Sequence, residues 1–265
     1  MSVIEALILG IIQGLTEFLP VSSSGHLELG SYFLGVQSED NLLFSILVHG
    51  ATALSTIVVF RKDILEIIQG LFKFQWNDET SFAAKILLSM IPVGLVGVLF
   101  EDQIEALFGG KILLVGAMLL VTAALLAFTY FSQKHEGSVT FKSALIIGLA
   151  QAIAILPGVS RSGSTISTAL LLGVNKEKAA RFSFLMVLPP IIGAMLLKTK
   201  DLIEAPELAT GLPVTSLVVG FIAAFVAGLL ACNWMISIVK KGKLIYFAVY
   251  CGVVGLGAVI GGLLI

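Results

Sequence analysis

Residues 19–29, LPVSSSGHLEL, put three serines, a glycine and a histidine in one run directly downstream of Glu17, inside an otherwise apolar stretch. A carboxylate, hydroxyls and an imidazole set so close together are the parts of proton transfer and nucleophilic displacement. Gln13 and Glu17 stand four apart and share a helix face, while Ser23 and His26 stand three apart on the segment beyond the turn. A second polar stretch, LPGVSRSGST (156–165), supplies Ser160, Arg161, Ser162, Gly163 and Thr165. It reads as a proline-ended arm, a glycine-permitted turn and a Ser/Thr-rich helix start, presenting N–H groups, hydroxyls and a planar guanidinium together. That set is complementary to a phosphate. Plainer readings exist for each part: a serine run often only caps a helix, a lone buried histidine is usually a packed residue, and Arg161 could bridge to Glu17 for structural reasons alone.

The elements that must position these groups lie in lipid. Of 265 residues, 57% are hydrophobic and 12% charged, with a mean hydropathy of +1.04, against roughly 25% charged in a soluble domain. The composition is that of a polytopic membrane protein. A net charge of -1 and a pI near 6.3 give no electrostatic footprint for nucleic acid. Cys232 and Cys251 sit in apolar stretches and read as packing residues, with no disulfide framework or metal site. The first apolar run leads into the polar motif rather than to a small-residue cleavage site, so no cleavable leader is expected.

Six apolar runs are long enough to span, at about 42–60, 81–100, 111–132, 181–197, 213–235 and 244–264. Two further stretches, 6–36 and 144–174, each hold a proline and a Ser/Gly-rich centre between arms too short to cross. They are expected to be re-entrant helical hairpins, since non-helical backbone at that depth survives only when buried in protein or lining a cavity.

The two stretches also match each other. Sliding by 138 positions, from Ala6 to Ala144, aligns Gly10 and Gln13 with Gly148 and Gln151, and Val21, Ser22, Ser24 and Gly25 with Val159, Ser160, Ser162 and Gly163. Glu39, Phe44 and Ser45 then meet Glu177, Phe182 and Ser183. Matched Gly, Gln, Ser and Glu at one offset mark an internal duplication, with halves at about 1–135 and 136–265 of a single membrane domain. One hairpin and three spans per half is an odd number of crossings, which inverts the second copy and places a site near the midplane. The fold expected is therefore an all-α integral membrane protein with an inverted-topology repeat, six transmembrane helices and two re-entrant hairpins. This threading puts twelve basic residues on one side and only Lys111, Lys198 and Lys200 on the other, as the positive-inside rule requires. Arg161 alone is left within the bilayer, where insertion scales charge about 2.5–3.5 kcal/mol for it.

The segments GIIQGLTEFLPVSSSGHL and PGVSRSG resemble the two signature motifs of the undecaprenyl-diphosphate phosphatase family, the bacitracin-resistance type, and the resemblance extends over essentially the whole chain. It implies a multi-pass hydrolase of the bacterial inner (plasma) membrane that removes the terminal phosphate of a C55 polyprenyl diphosphate and recycles the lipid carrier for peptidoglycan synthesis. It further implies a divalent cation, Mg2+ or Ca2+, with the family's acidic motif matched by Gln13 and Glu17 as metal-holding residues. The Ser/Gly/His segment falls on Ser22, Ser23, Ser24, Gly25 and His26, and the basic motif on Ser160, Arg161, Ser162, Gly163 and Thr165. Two positions depart from the pattern: many members carry an acid at Gln13, and many carry Asp or Glu at Ser45. Ser45 and His49 are accordingly left out of the catalytic set, with His49 read as packing or as lining of the substrate path.

The expected chemistry follows from these parts. Arg161, the flanking hydroxyls and a cation would clamp the phosphoryl oxygens, Glu17 would hold the cation or act as base, and either Ser23 or His26 would attack. Ser22, Ser24, Gly25, Ser160, Ser162, Gly163 and Thr165 would line the substrate. The partners expected are the polyprenyl diphosphate and the bilayer, with a homodimer left open. The rival reading is an inverted-repeat transporter or flippase of a lipid phosphate, which would use the same arginine and turns.

Overall fold

The computed structural model describes residues 1–36, 41–108, 110–131, 136–204 and 212–264. In chain order its helices are α1 (Val3–Phe18), α2 (Ser23–Leu34), α3 (Asn41–Val59), α4 (Arg61–Leu71), α5 (Asp78–Leu99), α6 (Glu101–Glu105), α7 (Ile112–Phe128), α8 (Phe141–Ile153), α9 (Arg161–Leu171), α10 (Lys176–Met186), α11 (Leu188–Glu204), α12 (Val214–Lys241) and α13 (Ile245–Leu264). Among the described residues the only β pairing is an isolated bridge of Gly137 with Val174. Five stretches are long and apolar enough to cross a membrane: Asp78–Leu99, Ile112–Phe131, Lys176–Leu197, Val214–Lys241 and Ile245–Leu264. A sixth is added if α3 and α4, bent by 76° at their junction, count as one. These are the apolar runs that the sequence marks out, in an all-helical membrane protein.

The two polar stretches fold as helical hairpins, α1–α2 and α8–α9. At 1.5 Å per residue the 16 residues of α1 extend about 24 Å and the 13 of α8 about 20 Å, short of the roughly 30 Å hydrocarbon core. Both first arms begin the same way. Ser2 Oγ accepts from Glu5 N while Glu5 Oε2 accepts from Ser2 N, and Thr140 and Ser143 make the equivalent reciprocal pair. Such boxes satisfy N–H groups that the helix leaves orphaned.

Each first arm then lies against a long helix of the other half, α1 along α12 and α8 along α5, while α7 crosses α13. Small residues let these backbones touch, because lipid supplies little hydrophobic drive and close packing must do so instead. A Cβ built on Gly10 would stand 2.5 Å from the carbonyl oxygen of Gly220, and one on the matched Gly148 would collide with that of Ser89. At the α7–α13 crossing, a Cβ on Gly116 would reach 2.8 Å from Val259 N. Deeper in, Phe184 of α10 packs its ring 6.0 Å from that of Phe18 and 5.9 Å from that of Phe60, seating the end of α1 against α3 and α10.

Charged residues pair at the ends of the helices. Arg181 Nε lies 2.5 Å from Asp63 Oδ1 and Lys240 Nζ 2.8 Å from Glu177 Oε1, all four on the basic side of the sequence-based threading. On the other side Glu28 Oε2 accepts from Gly110 N at 2.8 Å.

Gly10→Leu would force α1 off α12, and overpacking of this kind costs about 1–3 kcal/mol. Thermal unfolding in detergent should show a clearly lowered midpoint for this variant. Gly257→Leu, at an exposed position with no atom within 4 Å of the added Cβ, should unfold like the parent protein.

Candidate active site

The site is made where the two hairpin turns meet. In the second turn Gly158 has φ +98°, and a Cβ there would stand 2.5 Å from Val115 O, so both conformation and space demand glycine. Thr122 of α7 fixes this turn by donating to Gly158 O (3.0 Å) and accepting from Ser160 N (2.9 Å). In the first turn Pro20, which matches Gly158, offers its carbonyl to the Cys251 thiol of α13 at 3.6 Å. Ser160 caps α9 by accepting from Gly163 N at 3.0 Å, and Ser22 caps α2 by accepting from Gly25 N at 3.3 Å. Ser22 does so at φ +69°, a left-handed conformation of the kind that costs about 1–3 kcal/mol and gathers at functional sites. The tips are in contact: a Cβ on Gly25 would lie 3.0 Å from Gly158 Cα, and Ser162 Oγ donates to Leu19 O at 3.2 Å.

Glu17, the penultimate residue of α1, lies buried at this junction. Its Oε1 pairs with Arg161 Nη2 at 2.5 Å, and its Oε2 accepts from Ser23 Oγ at 2.7 Å and from Gln13 Nε2 at 3.0 Å. Thus one carboxylate joins the first arm, the start of α2 and the start of α9. Two buried polar atoms beside it have no partner among the described residues, Arg161 Nη1 and Gln13 Oε1. A guanidinium nitrogen left unsatisfied in a buried site is a donor prepared for an anion, since leaving such a group unpaired is costly. The N-termini of α2 and α9, 12 and 11 residues long, converge on the same place and add their positive dipole ends.

The structure therefore brings Gln13, Glu17, Ser23 and Arg161 into one hydrogen-bonded group. Ser22 and Ser24 lie within 3.3 Å of each other through their hydroxyls, as do Ser160 and Ser162. Thr165 spends its hydroxyl on Ser183 Oγ (2.6 Å) and on Arg161 O (2.9 Å), which braces the first turn of α9. His26 directs both ring nitrogens to partners other than the carboxylate. Its Nδ1 donates to Ser22 O at 2.9 Å, so its Nε2 accepts from the Tyr250 hydroxyl at 2.9 Å, and the two rings stack with centroids 5.6 Å apart and planes 14° from parallel.

Sequence reasoning missed two groups. Tyr250 sits in the uniformly apolar α13 and carries no motif. His49, read from the sequence as packing or path lining, presents Nε2 to Glu17 Oε2 at 3.9 Å, with Nδ1 donating to Ser45 O at 2.8 Å. The available signal was a histidine in the middle of a spanning run, discounted because Ser45 is not acidic.

Among the described residues no group of three or more His, Cys, Asp and Glu side chains could hold a metal ion. Glu17 with the unpartnered Gln13 Oε1 does offer hard oxygen donors. That partial set fits a Mg2+-like ion, which takes one or two protein ligands and completes its shell with phosphate oxygens and water.

With this geometry in view, comparison with known proteins is specific. The chain is 59% identical to a protein of Bacteroides thetaiotaomicron named undecaprenyl-diphosphatase, over 98% of this chain and 99% of the relative. It is 60% identical to a protein of the same name from Parabacteroides distasonis and 59% to one from Bacteroides fragilis, in both cases over 97% of each chain. The sequence model of the family described as bacitracin resistance protein BacA matches residues 6–257, and the chain belongs to that family.

Proposed function

We propose that this protein hydrolyses undecaprenyl diphosphate to undecaprenyl phosphate and inorganic phosphate, as a multi-pass protein of the bacterial inner membrane that returns the lipid carrier to cell-wall synthesis. One observation carries the reading: a buried carboxylate accepts a serine hydroxyl on one oxygen while the other oxygen holds an arginine from the opposite hairpin. A transporter of a lipid phosphate needs the arginine but has no use for a serine bonded to a buried base, and the relatives carry the name of a diphosphatase.

Phosphoryl transfer asks for a positioned nucleophile and neutralisation of the equatorial oxygens. When a diphosphate enters, Arg161 turns its free Nη1 and then Nη2 to the terminal phosphoryl group, and the N-terminal N–H groups of α2 and α9 face the same oxygens. Glu17, released from the arginine, takes the proton of Ser23 Oγ through the existing 2.7 Å hydrogen bond. The Ser23 oxygen bonds to the terminal phosphorus, the bond from that phosphorus to the bridging oxygen breaks, and the lipid monophosphate leaves. Water then attacks the phosphoserine and restores Ser23 and Glu17, releasing phosphate. Ser23 is preferred to His26 as nucleophile because both imidazole nitrogens are occupied, by Ser22 O and by Tyr250. A divalent cation, Mg2+ or Ca2+, would sit at Glu17 and Gln13 Oε1 and supply positive charge to the diphosphate. Ser22, Ser24, Gly25, Ser160, Ser162 and Gly163 would form the walls around it.

The architecture that goes with this reading is an inverted repeat of six spans and two re-entrant hairpins. It is supported by the starts of α2 and α9 at Ser23 and Arg161, 138 positions apart like Ala6 and Ala144. It is supported too by the exchange of partners, α1 with α12 and α8 with α5.

Purified protein in detergent with Mg2+ should release phosphate from undecaprenyl diphosphate. Glu17→Gln and Arg161→Ala should each reduce that release by at least about 100-fold, the lower range for a lost general base or charge clamp, without a change in elution profile. Release at the parental rate in either variant overturns the mechanism.

The two candidate nucleophiles separate in a second measurement. Turnover quenched in detergent at neutral pH, with substrate labelled in the terminal phosphate, should leave acid-stable label on the peptide holding Ser23, and Ser23→Ala should carry none. Acid-labile label lost in His26→Gln instead would transfer the attacking role to His26.

A further inference from the structure

His49 is a polar group beside Glu17 that the reaction above does not use. Its side chain comes from α3, a third element beside the two hairpins. Ser45 O holds the Nδ1 proton at 2.8 Å, which leaves the lone pair of Nε2 facing Glu17 Oε2 at 3.9 Å. The two atoms thus face each other across a gap too long for a hydrogen bond. An imidazolium directed at the carboxylate would close to about 2.7–2.9 Å. First-row cations instead bond imidazole nitrogen and carboxylate oxygen at about 2.0–2.2 Å each, so the gap is close to one ion wide. Gln13 supplies the independent sign of a ligand. Its side chain is fully buried, its amide already touches Glu17 Oε2, and its Oε1 has no partner. Turning that amide over would bring Oε1 beside Glu17 Oε2 at the expense of a single hydrogen bond. The bond from Nδ1 to a backbone carbonyl is also the arrangement that orients metal-bound histidines and fixes their tautomer.

We propose that His49 is a ligand of the divalent cation, which is then held by His49 Nε2, Glu17 Oε2 and Gln13 Oε1. This rests on the reading of the site as one that takes a cation with a diphosphate. A nitrogen donor adds affinity for ions such as Co2+ and Zn2+ to a site whose oxygen donors already suit Mg2+, Ca2+ and Mn2+. The neutral Gln13 offers less charge to a hard ion than a second carboxylate would.

The test uses the full chain, purified in detergent, stripped with a chelator and loaded with Mn2+ alone. Pulsed electron paramagnetic resonance should show the nitrogen modulation of a bound imidazole. His49→Gln should abolish that modulation and weaken Mn2+ binding by calorimetry about 10- to 100-fold, the size found even for groups that only support a ligand. His26→Gln should retain both signals. Mn2+ bound without nitrogen modulation in the parent protein, no Mn2+ binding, or modulation persisting in His49→Gln each overturn the assignment, and the parent measurement does so without depending on how any variant folds. Phosphate release with Mg2+ measured on the same preparations separates this result from the proposed function: loss of the nitrogen signal with release intact removes only His49 from the ligand set.

Discussion

The Glu17–Arg161 pair is the constraint on which this structure is arranged. Each charge is costly to bury without the other: removing one partner of a buried pair typically costs about 3–5 kcal/mol, because the remaining charge stays buried and uncompensated. The two residues stand 144 apart in the chain and on different hairpins, so satisfying them fixes the two turns tip to tip. The pair is also a latent binding site. In the reaction proposed above a diphosphate would compete with Glu17 for the same guanidinium, and the competition would set the carboxylate free at the moment when a base is wanted. A structural ion pair and a functional one are therefore the same contact in two states of ligation.

Much of this was legible in the sequence, for reasons that can be named. The duplication at one offset gave both hairpins and told which turns face each other, so the approach of Arg161 to Glu17 needed no coordinates. The apolar runs gave the spans because lipid permits little else than a helix of that length. What could not be read was the rotation of helices that are apolar all round. Tyr250 on α13 lies on such a helix, and nothing in its periodicity says which face looks at the site; His49 on α3 instead stands in a polar row with Ser45, Thr52 and Thr56, which marked its face but not what that face meets. The partners of His26 were hidden for the same reason: spacing put it on a face with Ser23, but Ser22 O and Tyr250 decide where the ring points.

The matched halves are not equivalent where chemistry is concerned. Ser22 and Ser160 cap their helices alike, yet Ser22 takes φ +69° and Ser160 φ -74°. The strained copy belongs to the hairpin that carries Glu17, Ser23 and His26, and its carbonyl accepts from both the backbone N and Nδ1 of His26. Gln151, the counterpart of Gln13, is buried with neither amide atom partnered among the described residues. In the duplication read from the sequence, the acid would belong to one copy and the guanidinium to the other.

The two helices that hold the turns also hold each other. Thr122 of α7 grips one turn, Cys251 of α13 reaches the other, and these helices cross at glycines close enough for backbone contact. The crossing acts as a yoke. Any wedge driven into it, a lipid tail or a bulkier residue, would move both tips together and part the acid from its cation without touching either.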